Sequence, residues 1–208
     1  LSLQLNAKHK ISLRSLINVN TLNRVLQRNG ISISRADSIL TGTEFTFRQN
    51  TFFTTQLTGD HTVSKSIKLK WYGAFSILDG YVPDQRRILY SKQNPSDPFT
   101  LVISNTLSQQ SGSRVYQSLS DYIYTAGGDL SWSLGKGQSM KGGYMLQVKD
   151  RLYDARLFSV FLPRDNAALR LLPADKVFAP ENFGDGSTAS TLFGFDAIKG
   201  KSFRYMAN

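Results

Sequence analysis

The sequence has no cysteine, only two histidines, and no apolar run near the roughly 18 residues that a transmembrane helix requires. The lack of cysteine excludes disulfide frameworks and thiolate metal sites, and it leaves the redox compartment open. His9 and His61 lie beside predicted turns, without carboxylates or each other at ligand spacing. We therefore expect two exposed histidines and no metal site.

Because the chain begins at Leu1 without a methionine or signal peptide, we expect the whole protein to be longer.

Motifs for catalysis are also lacking. Gly135-Lys136 invites comparison with a phosphate-binding loop, but that motif needs glycine where Leu130 stands and serine or threonine where Gly137 stands. No Gly-x-Ser-x-Gly elbow occurs. We therefore predict that the protein is not an enzyme and has no catalytic or cofactor-binding residues. The glycines at this position indicate a tight hairpin turn.

The chain has a net charge of +10 and a pI near 9.9. Such a balance raises the possibility of nucleic-acid binding, but the basic residues are scattered along the chain, and we expect no nucleic-acid partner. One mixed run contains Lys149, Asp150, Arg151, Asp154 and Arg156. Alternating charges along a strand are typical of a ladder inside a lumen or at its rim, so we expect no acid-base chemistry there.

What the sequence does contain is a long alternation of apolar and polar residues. Every second residue from Phe45 to Leu57 is mostly apolar, and the positions between them are mostly polar. The same pattern recurs over 67–77, 122–134 and from Met140 to about Phe161. Period two predicts strands, because successive side chains of a strand point to opposite faces. These segments exceed the usual strand of about 5 or 6 residues and suit the roughly 9 to 11 that a tilted strand needs to cross a bilayer.

The predicted connections alternate in length. Short ones are expected at 6–10, 60–66 and 135–139, and long polar ones at 20–43, 79–114 and 162–202. Pro83 is expected to interrupt pairing in the second long connection, whose segment 101–103 could add a short strand. A last strand is predicted to start at Phe203. Short turns on one side and long loops on the other are typical of outer-membrane barrels.

Aromatic residues make up 12% of the chain, and several lie in or near the predicted strands. Trp71, Tyr122, Tyr124, Trp132 and Tyr144 belong to this set. At strand ends they would form the aromatic girdles that anchor a barrel at the headgroup level. Packing in the core of a soluble sandwich is the alternative, although it does not explain the polar opposite faces.

Three segments carry a resemblance to a known family. They are Val82-Pro-Asp-Gln-Arg-Arg-Ile-Leu-Tyr90, Val148-Lys-Asp-Arg-Leu-Tyr-Asp-Ala-Arg-Leu-Phe158 and Phe178-Ala-Pro-Glu-Asn-Phe-Gly184. In this order, together with Thr58-Gly-Asp-His-Thr62 and Lys70-Trp71, they resemble the barrel region of TonB-dependent outer-membrane receptors from Bacteroidetes. The resemblance covers most of the chain, but its motifs are framework residues and identify no ligand-binding residue.

The resemblance implies an all-β fold, an antiparallel transmembrane β-barrel wall that is part of a larger barrel, usually of 22 strands, with long extracellular loops. Residues 1–208 would be one partial barrel domain, and the plug domain and remaining strands would lie outside this chain. The implied function is energy-coupled uptake of an unidentified ligand in the cell outer membrane. The implied partners are outer-membrane lipid, the TonB complex acting through the plug, and in some receptors a surface lipoprotein.

Two other classes remain open from the sequence. A passive outer-membrane channel or an adhesion barrel would share the wall but lack a plug and a coupling segment. A soluble all-β module for glycans or polyanions would use the basic loops and exposed aromatics, fold without detergent, and close two sheets within these 208 residues.

Overall fold

Long antiparallel strands dominate the computed structural model, which describes residues 1–33, 37–103, 111–135, 137–198 and 203–207. The strands are β1 Ser2–Asn6, β2 His9–Ser32, β3 Ser38–Thr62, β4 Ile67–Lys92, β5 Thr100–Leu101, β6 Ser113–Gly135, β7 Gln138–Phe161, β8 Gly194–Ile198 and β9 Phe203–Ala207. A one-turn helix, α1, spans Ala167–Arg170, and a 3-10 turn spans Pro180–Asn182. In the described part of the chain, no helix has the length and hydropathy to cross a membrane.

The described strands form one sheet in the order β1-β2-β3-β4-β6-β7-β8. Strand β5 pairs with the end of β4, and β9 pairs with β7 beside β8. The sheet is antiparallel and curled into half of a barrel. This confirms the coarse prediction of an all-β barrel-like wall, and it confirms short strands near 101 and 203.

The register shows that the apolar positions of successive strands share one face. Leu13 lies opposite Leu57, Phe75 opposite Tyr124, and Tyr124 opposite Val148. We call this the apolar face. The other side, which we call the polar face, carries lysine, arginine, carboxylate and hydroxyl side chains. A shift of one residue would reverse the two faces, so the hydrophobic pattern fixes this register.

The predicted long loop at 20–43 is wrong. Strand β2 continues to Ser32 and β3 begins at Ser38, and residues 20–32 of β2 pair one for one with residues 38–50 of β3. The segment mixes polar and apolar residues on both faces, which weakens the sequence signal for a strand without weakening its backbone pairing. In the second long connection, β4 likewise continues to Lys92 before the chain leaves the sheet.

Pro83 lies inside β4 and does not end it. The register of β4 with β6 shifts between Val82 and Gln85, which places Pro83 in a β-bulge. A bulge tolerates proline because its extra residue takes no part in the hydrogen-bond ladder. The bulge also exchanges the faces of β4: even-numbered residues lie on the polar face up to Val82, and odd-numbered residues lie there from Gln85 onward.

Residues 162–193, which we call the cap, form most of the third long connection. The hydrophobic core of the described chain lies between the cap, β5 and the end of β7. Its buried members are Leu101, Val160, Leu162, Leu169, Val177 and Phe193. Ile88 and Tyr90 pack against this core from the apolar face of β4. The cap therefore covers the apolar face of β4 and β7 where these two strands are farthest from the short turns.

The glycine-bearing turn between β6 and β7 is confirmed. Gly135 and Gly137 have φ values of 86° and 79°, a backbone region that favours glycine. The position between them, Lys136, lies outside the described residues. The physical role of these glycines is the hairpin geometry predicted from the sequence.

Candidate functional site

The two faces of the sheet differ sharply in charge. Within the five long strands, eleven basic side chains lie on the polar face: Lys10, Arg14, Arg24, Arg28, Arg48, Lys68, Lys70, Arg87, Lys141, Lys149 and Arg151. Four acidic side chains share that face: Glu44, Asp60, Asp121 and Asp129. The polar face of these strands thus has a surplus of seven positive charges, which makes it the candidate functional surface.

The most concentrated part of this surface surrounds Glu44, whose side chain is only 3% exposed. Arg87 approaches the carboxylate closely, with Nη2 at 2.6 Å and Nε at 2.8 Å from Oε2. Arg28 donates to the same oxygen at 3.2 Å, and Arg24 Nη2 lies 3.6 Å from Oε1. Gln85 donates to Oε1 at 2.8 Å. We call Glu44 with Arg24, Arg28 and Arg87 the arginine cluster.

The position of Glu44 on the folded sheet creates this site. Strand β3 places the carboxylate between β2, which supplies Arg24 and Arg28, and β4, which supplies Arg87. Burial alone would raise the pKa of Glu44, but the hydrogen bonds from Arg87 and Gln85 and the charges of Arg87 and Arg28 outweigh it. The pKa therefore lies below its ordinary value. The carboxylate stays charged and holds three guanidinium groups together.

A second cluster lies nearer the middle of the polar face. Asp121 is fully buried and accepts two hydrogen bonds of 2.6 Å from Nε and Nη2 of Arg151. Lys149 Nζ lies 3.0 Å from the same carboxylate. This is a fork-to-fork pair with an additional lysine, the geometry in which arginine binds carboxylates most strongly. Here too the cations outnumber the carboxylate.

The predicted charge run on β7 is divided by the pleat of the strand. Lys149 and Arg151 lie on the polar face, whereas Asp150, Asp154 and Arg156 lie on the apolar face. Arg156 pairs with Asp154 at 3.2 Å. The run is therefore two sets of charges on opposite sides of the sheet.

The two histidines are brought together, contrary to expectation. Antiparallel pairing of β2 and β3 sets His9 opposite His61, and their Nδ1 atoms are 2.9 Å apart. Trp71 donates from Nε1 to Nε2 of His61 at 2.9 Å. Because the indole only donates, His61 donates in turn to His9. Among the described residues, no group of three metal-ligating side chains occurs.

The apolar face has an uncharged band beside the short turns. We call it the apolar band, and it consists of alternate residues of 11–19, 51–59, 67–77, 122–134 and 140–148. Its large side chains are open to the surroundings: Ile17 is 68% exposed, Tyr144 73% and Leu146 63%. Charged residues of the apolar face begin beyond the band, at Asp79 on β4 and Asp150 on β7.

A cavity of about 520 Å³ lies between the cap and the apolar face of the strand ends. Phe45, Phe178 and Phe183 line it, and so do Arg86 and Arg114. Both of these arginines are paired with the same carboxylate, Asp84, at 2.7 and 2.8 Å. The cavity is therefore mainly an apolar space, and at its rim one carboxylate balances one of the two arginine charges.

Sequence reasoning named no ligand-binding residue and missed the arginine cluster. Arg24, Arg28 and Arg87 fell within stretches interpreted as loops. One signal was present: the basic residues Lys10, Arg14, Arg24 and Arg28 all occupy even positions, which places them on one face of a continuous strand. The partnership with Glu44 and Arg87 depends on strand register and could not be read from that spacing.

The fold and this surface define a curled antiparallel β-wall with an exposed apolar band and a basic opposite face. The chain matches no protein-family model, no curated protein and no solved structure.

Proposed function

We propose that this sheet is part of the wall of an outer-membrane β-barrel receptor that takes up a ligand with energy supplied through TonB. The apolar band carries the proposal. Large apolar side chains of the band are exposed on β2, β3, β6 and β7 and partly buried on β4, and the apolar face has no charged residue until the band ends. On soluble proteins, exposed apolar patches larger than a few hundred Å² mark sites of contact with membranes or with other proteins.

The height of the band supports contact with lipid. Its five segments are between 9 and 13 residues long, close to the roughly 9 to 11 residues of a tilted transmembrane strand. Polar and charged residues follow on the apolar face beyond the band. A soluble sandwich would place a second sheet over such a surface, whereas the described strands all belong to one sheet.

Aromatic residues lie near both limits of the band. Trp71 and Trp132 lie toward the short turns, and Tyr122 and Tyr124 lie toward the opposite limit. Phe75 packs against Tyr124 with ring centroids 5.1 Å apart. Two aromatic rows at the height of the two headgroup layers are typical of membrane barrels. The polar face would then line the lumen.

The need for further strands follows from the edges. Among the described strands, β1 covers only the start of β2, so most of the outer edge of β2 has no partner there. An unpaired backbone group in lipid costs several kcal/mol. In the proposed receptor, further strands close the barrel. TonB coupling itself is supported only by the resemblance of 82–90, 148–158 and 178–184 to TonB-dependent receptors of Bacteroidetes.

The proposal is tested on outer-membrane extracts of the cells that make the protein. An antibody against the cap is used on boiled and unboiled samples in detergent gels. A heat-dependent mobility shift of a species much larger than 23.2 kDa is expected. An unshifted soluble species near that mass would refute the membrane wall and favour the soluble glycan or polyanion module.

A second measurement separates a receptor from a passive channel or an adhesion barrel. The purified barrel is inserted into planar lipid bilayers, and its conductance is recorded. A plugged receptor should give no steady open conductance, whereas a passive channel should conduct continuously. Ligand uptake by cells lacking TonB should also fail if the barrel depends on energy coupling, while an adhesion barrel would have no uptake to lose.

A further inference from the structure

We propose that the arginine cluster is the first binding site for an anionic solute that carries carboxylate or phosphate groups. The inference rests on the proposed function and deepens it by naming the chemical class of the ligand. The observation behind it is that three guanidinium groups surround one buried carboxylate, on a face whose charges are predominantly positive.

The cluster has binding capacity that its own carboxylate does not use. Glu44 neutralises one of the three positive charges, which leaves a local surplus of two. Arg24 and Arg28 have side chains that are 51% and 49% exposed, so their outer donors face solvent. Arg24 approaches Glu44 only at 3.6 Å, beyond hydrogen-bond range. An incoming anion can engage both arginines without displacing the tighter pair between Glu44 and Arg87.

Arginine is the side chain best suited to such a ligand. Its planar fork offers parallel donors that match the two oxygens of a carboxylate or phosphate group. The carboxylate of Glu44 binds several donors at once. It therefore fixes the directions of the guanidinium groups before a ligand arrives. This preorganisation lowers the entropic cost of ordering the arginine side chains when the ligand binds.

The height of the cluster suits a solute arriving from outside the barrel. Glu44 lies seven residues beyond Thr51 at the limit of the apolar band, or roughly 23 Å along the strand at about 3.3 Å per residue. The cluster is thus beyond the proposed membrane layer, on the side opposite the short turns. Arg48 lies on the same face between the cluster and the band, and no ion pair of its side chain occurs among the described residues.

The positive surplus continues toward the short turns. Arg151 and Lys149 surround Asp121 near the limit of the band, and Lys68 and Lys70 lie on the polar face close to the turns. A row of cations along one wall attracts and guides anions, since the field of like charges in a confined space raises the local counter-ion concentration. An acidic plug segment is the alternative occupant, and the test below includes it.

The experiment uses the complete receptor purified from outer membranes in detergent. Titration calorimetry measures binding of citrate, of inorganic pyrophosphate and, as an uncharged control, of trehalose. The test variant is Arg24→Gln with Arg28→Gln. The matched control is Arg86→Gln with Arg156→Gln, which removes the same charge from exposed arginines of the apolar face. A heat-dependent gel shift is recorded for each protein to confirm that the barrel is intact.

We expect citrate or pyrophosphate to bind and trehalose not to bind. The test variant should lose about tenfold or more in affinity, as expected for charged hydrogen bonds, while the control stays near the parent value. The anion with the larger loss identifies carboxylate or phosphate as the recognised group. Added salt should weaken binding.

Three results would overturn the inference. The first is no binding of either anion, which would also be the result if an acidic plug segment occupied the cluster. The second is an equal loss in the control variant, which would indicate a general effect of net charge. The third is equal binding of trehalose. A normal gel shift in any of these cases would leave the proposed barrel function standing, whereas absence of the shift in the parent protein would remove that function itself.

Discussion

The apolar side chains of the apolar face are buried at one end and exposed at the other. Beyond the apolar band, the cap covers Ile88 and Tyr90 and encloses Phe193 completely. Within the band, by contrast, Leu130 is 48% exposed and Tyr144 73% exposed. A protein in water buries apolar surface against its own chain because that removes it from solvent. Under the proposed function, lipid would cover the exposed band, and water would surround the capped end.

The largest predicted effect is in the capped end. Replacing Phe193 with alanine removes a fully buried aromatic ring between Phe178 and Phe183. The expected cost is about 3 to 5 kcal/mol for a buried Phe→Ala change. Hydrogen exchange and limited proteolysis of residues 162–193 should both accelerate.

The matched control is Leu130→Ala in the apolar band. If lipid covers the band, this change removes no enclosed core contact and should leave proteolysis of the cap unchanged. Equal loosening of the cap by both variants would contradict the separation of the two regions.

A charge placed in the band should be nearly as harmful, for a different reason. Leu130→Arg should hinder membrane assembly by about 2 to 4 kcal/mol if the residue faces lipid near the midplane. The neighbouring Asp129→Asn change alters the polar face and should be mild. The yield of the heat-shifted barrel in outer membranes measures both. Equal damage from the two variants would argue against lipid contact on the apolar face.

A smaller effect is expected where the cap joins the sheet. Tyr90 donates from its hydroxyl to the carbonyl of Leu172 at 2.8 Å, and Tyr90→Phe removes this bond at a cost of about 0.5 to 1.5 kcal/mol. Burial, followed by the charge of Asp175, raises the pKa of Tyr90 to about 12. Because the folded pKa is raised, this contribution should be complete below the unfolded pKa and lost as pH rises through about 12.

The alkaline prediction has a direct readout. Hydrogen exchange of the cap, measured against pH, should show an alkaline loosening in the parent protein that is reduced in Tyr90→Phe. The apolar band should not follow this transition. A profile that is identical in the two proteins would show that the tyrosine does not couple the cap to the sheet.

The smallest effect is expected from mild acid, and it concerns the polar face. The folded pKa of Glu44 lies below its ordinary value of 4.5, so its contribution to stability is present above that value and is lost as pH falls through the folded pKa. The arginine cluster should then loosen at pH values below 4.5, while the uncharged band is unaffected. Hydrogen exchange along β3 should show this loosening, and in the Glu44→Gln variant the exchange along β3 should no longer depend on pH in this range.

Much of the sheet follows directly from local patterns. The alternation over 45–57 and 122–134 correctly predicted strands and the division into two faces, and the glycines near 135 correctly predicted a turn. The stretch 20–43 did not reveal its strands, because without a continuous apolar face the even spacing of its basic residues does not by itself distinguish a strand from a loop. Pro83 misled for a related reason: the bulge that accommodates it depends on pairing with β6.

The candidate site illustrates the same division between the sequence and the tertiary structure. The sequence by itself determined that one face would be apolar and that the excess basic residues of β2 would share the other, because strand period fixes which side chains point together. Only the tertiary structure decided that Arg24, Arg28 and Arg87 meet at Glu44, and that His9 meets His61. Those partners are separated in the chain, and the register of neighbouring strands, set by burial along their whole length, brings their atoms within hydrogen-bonding or ion-pairing distance.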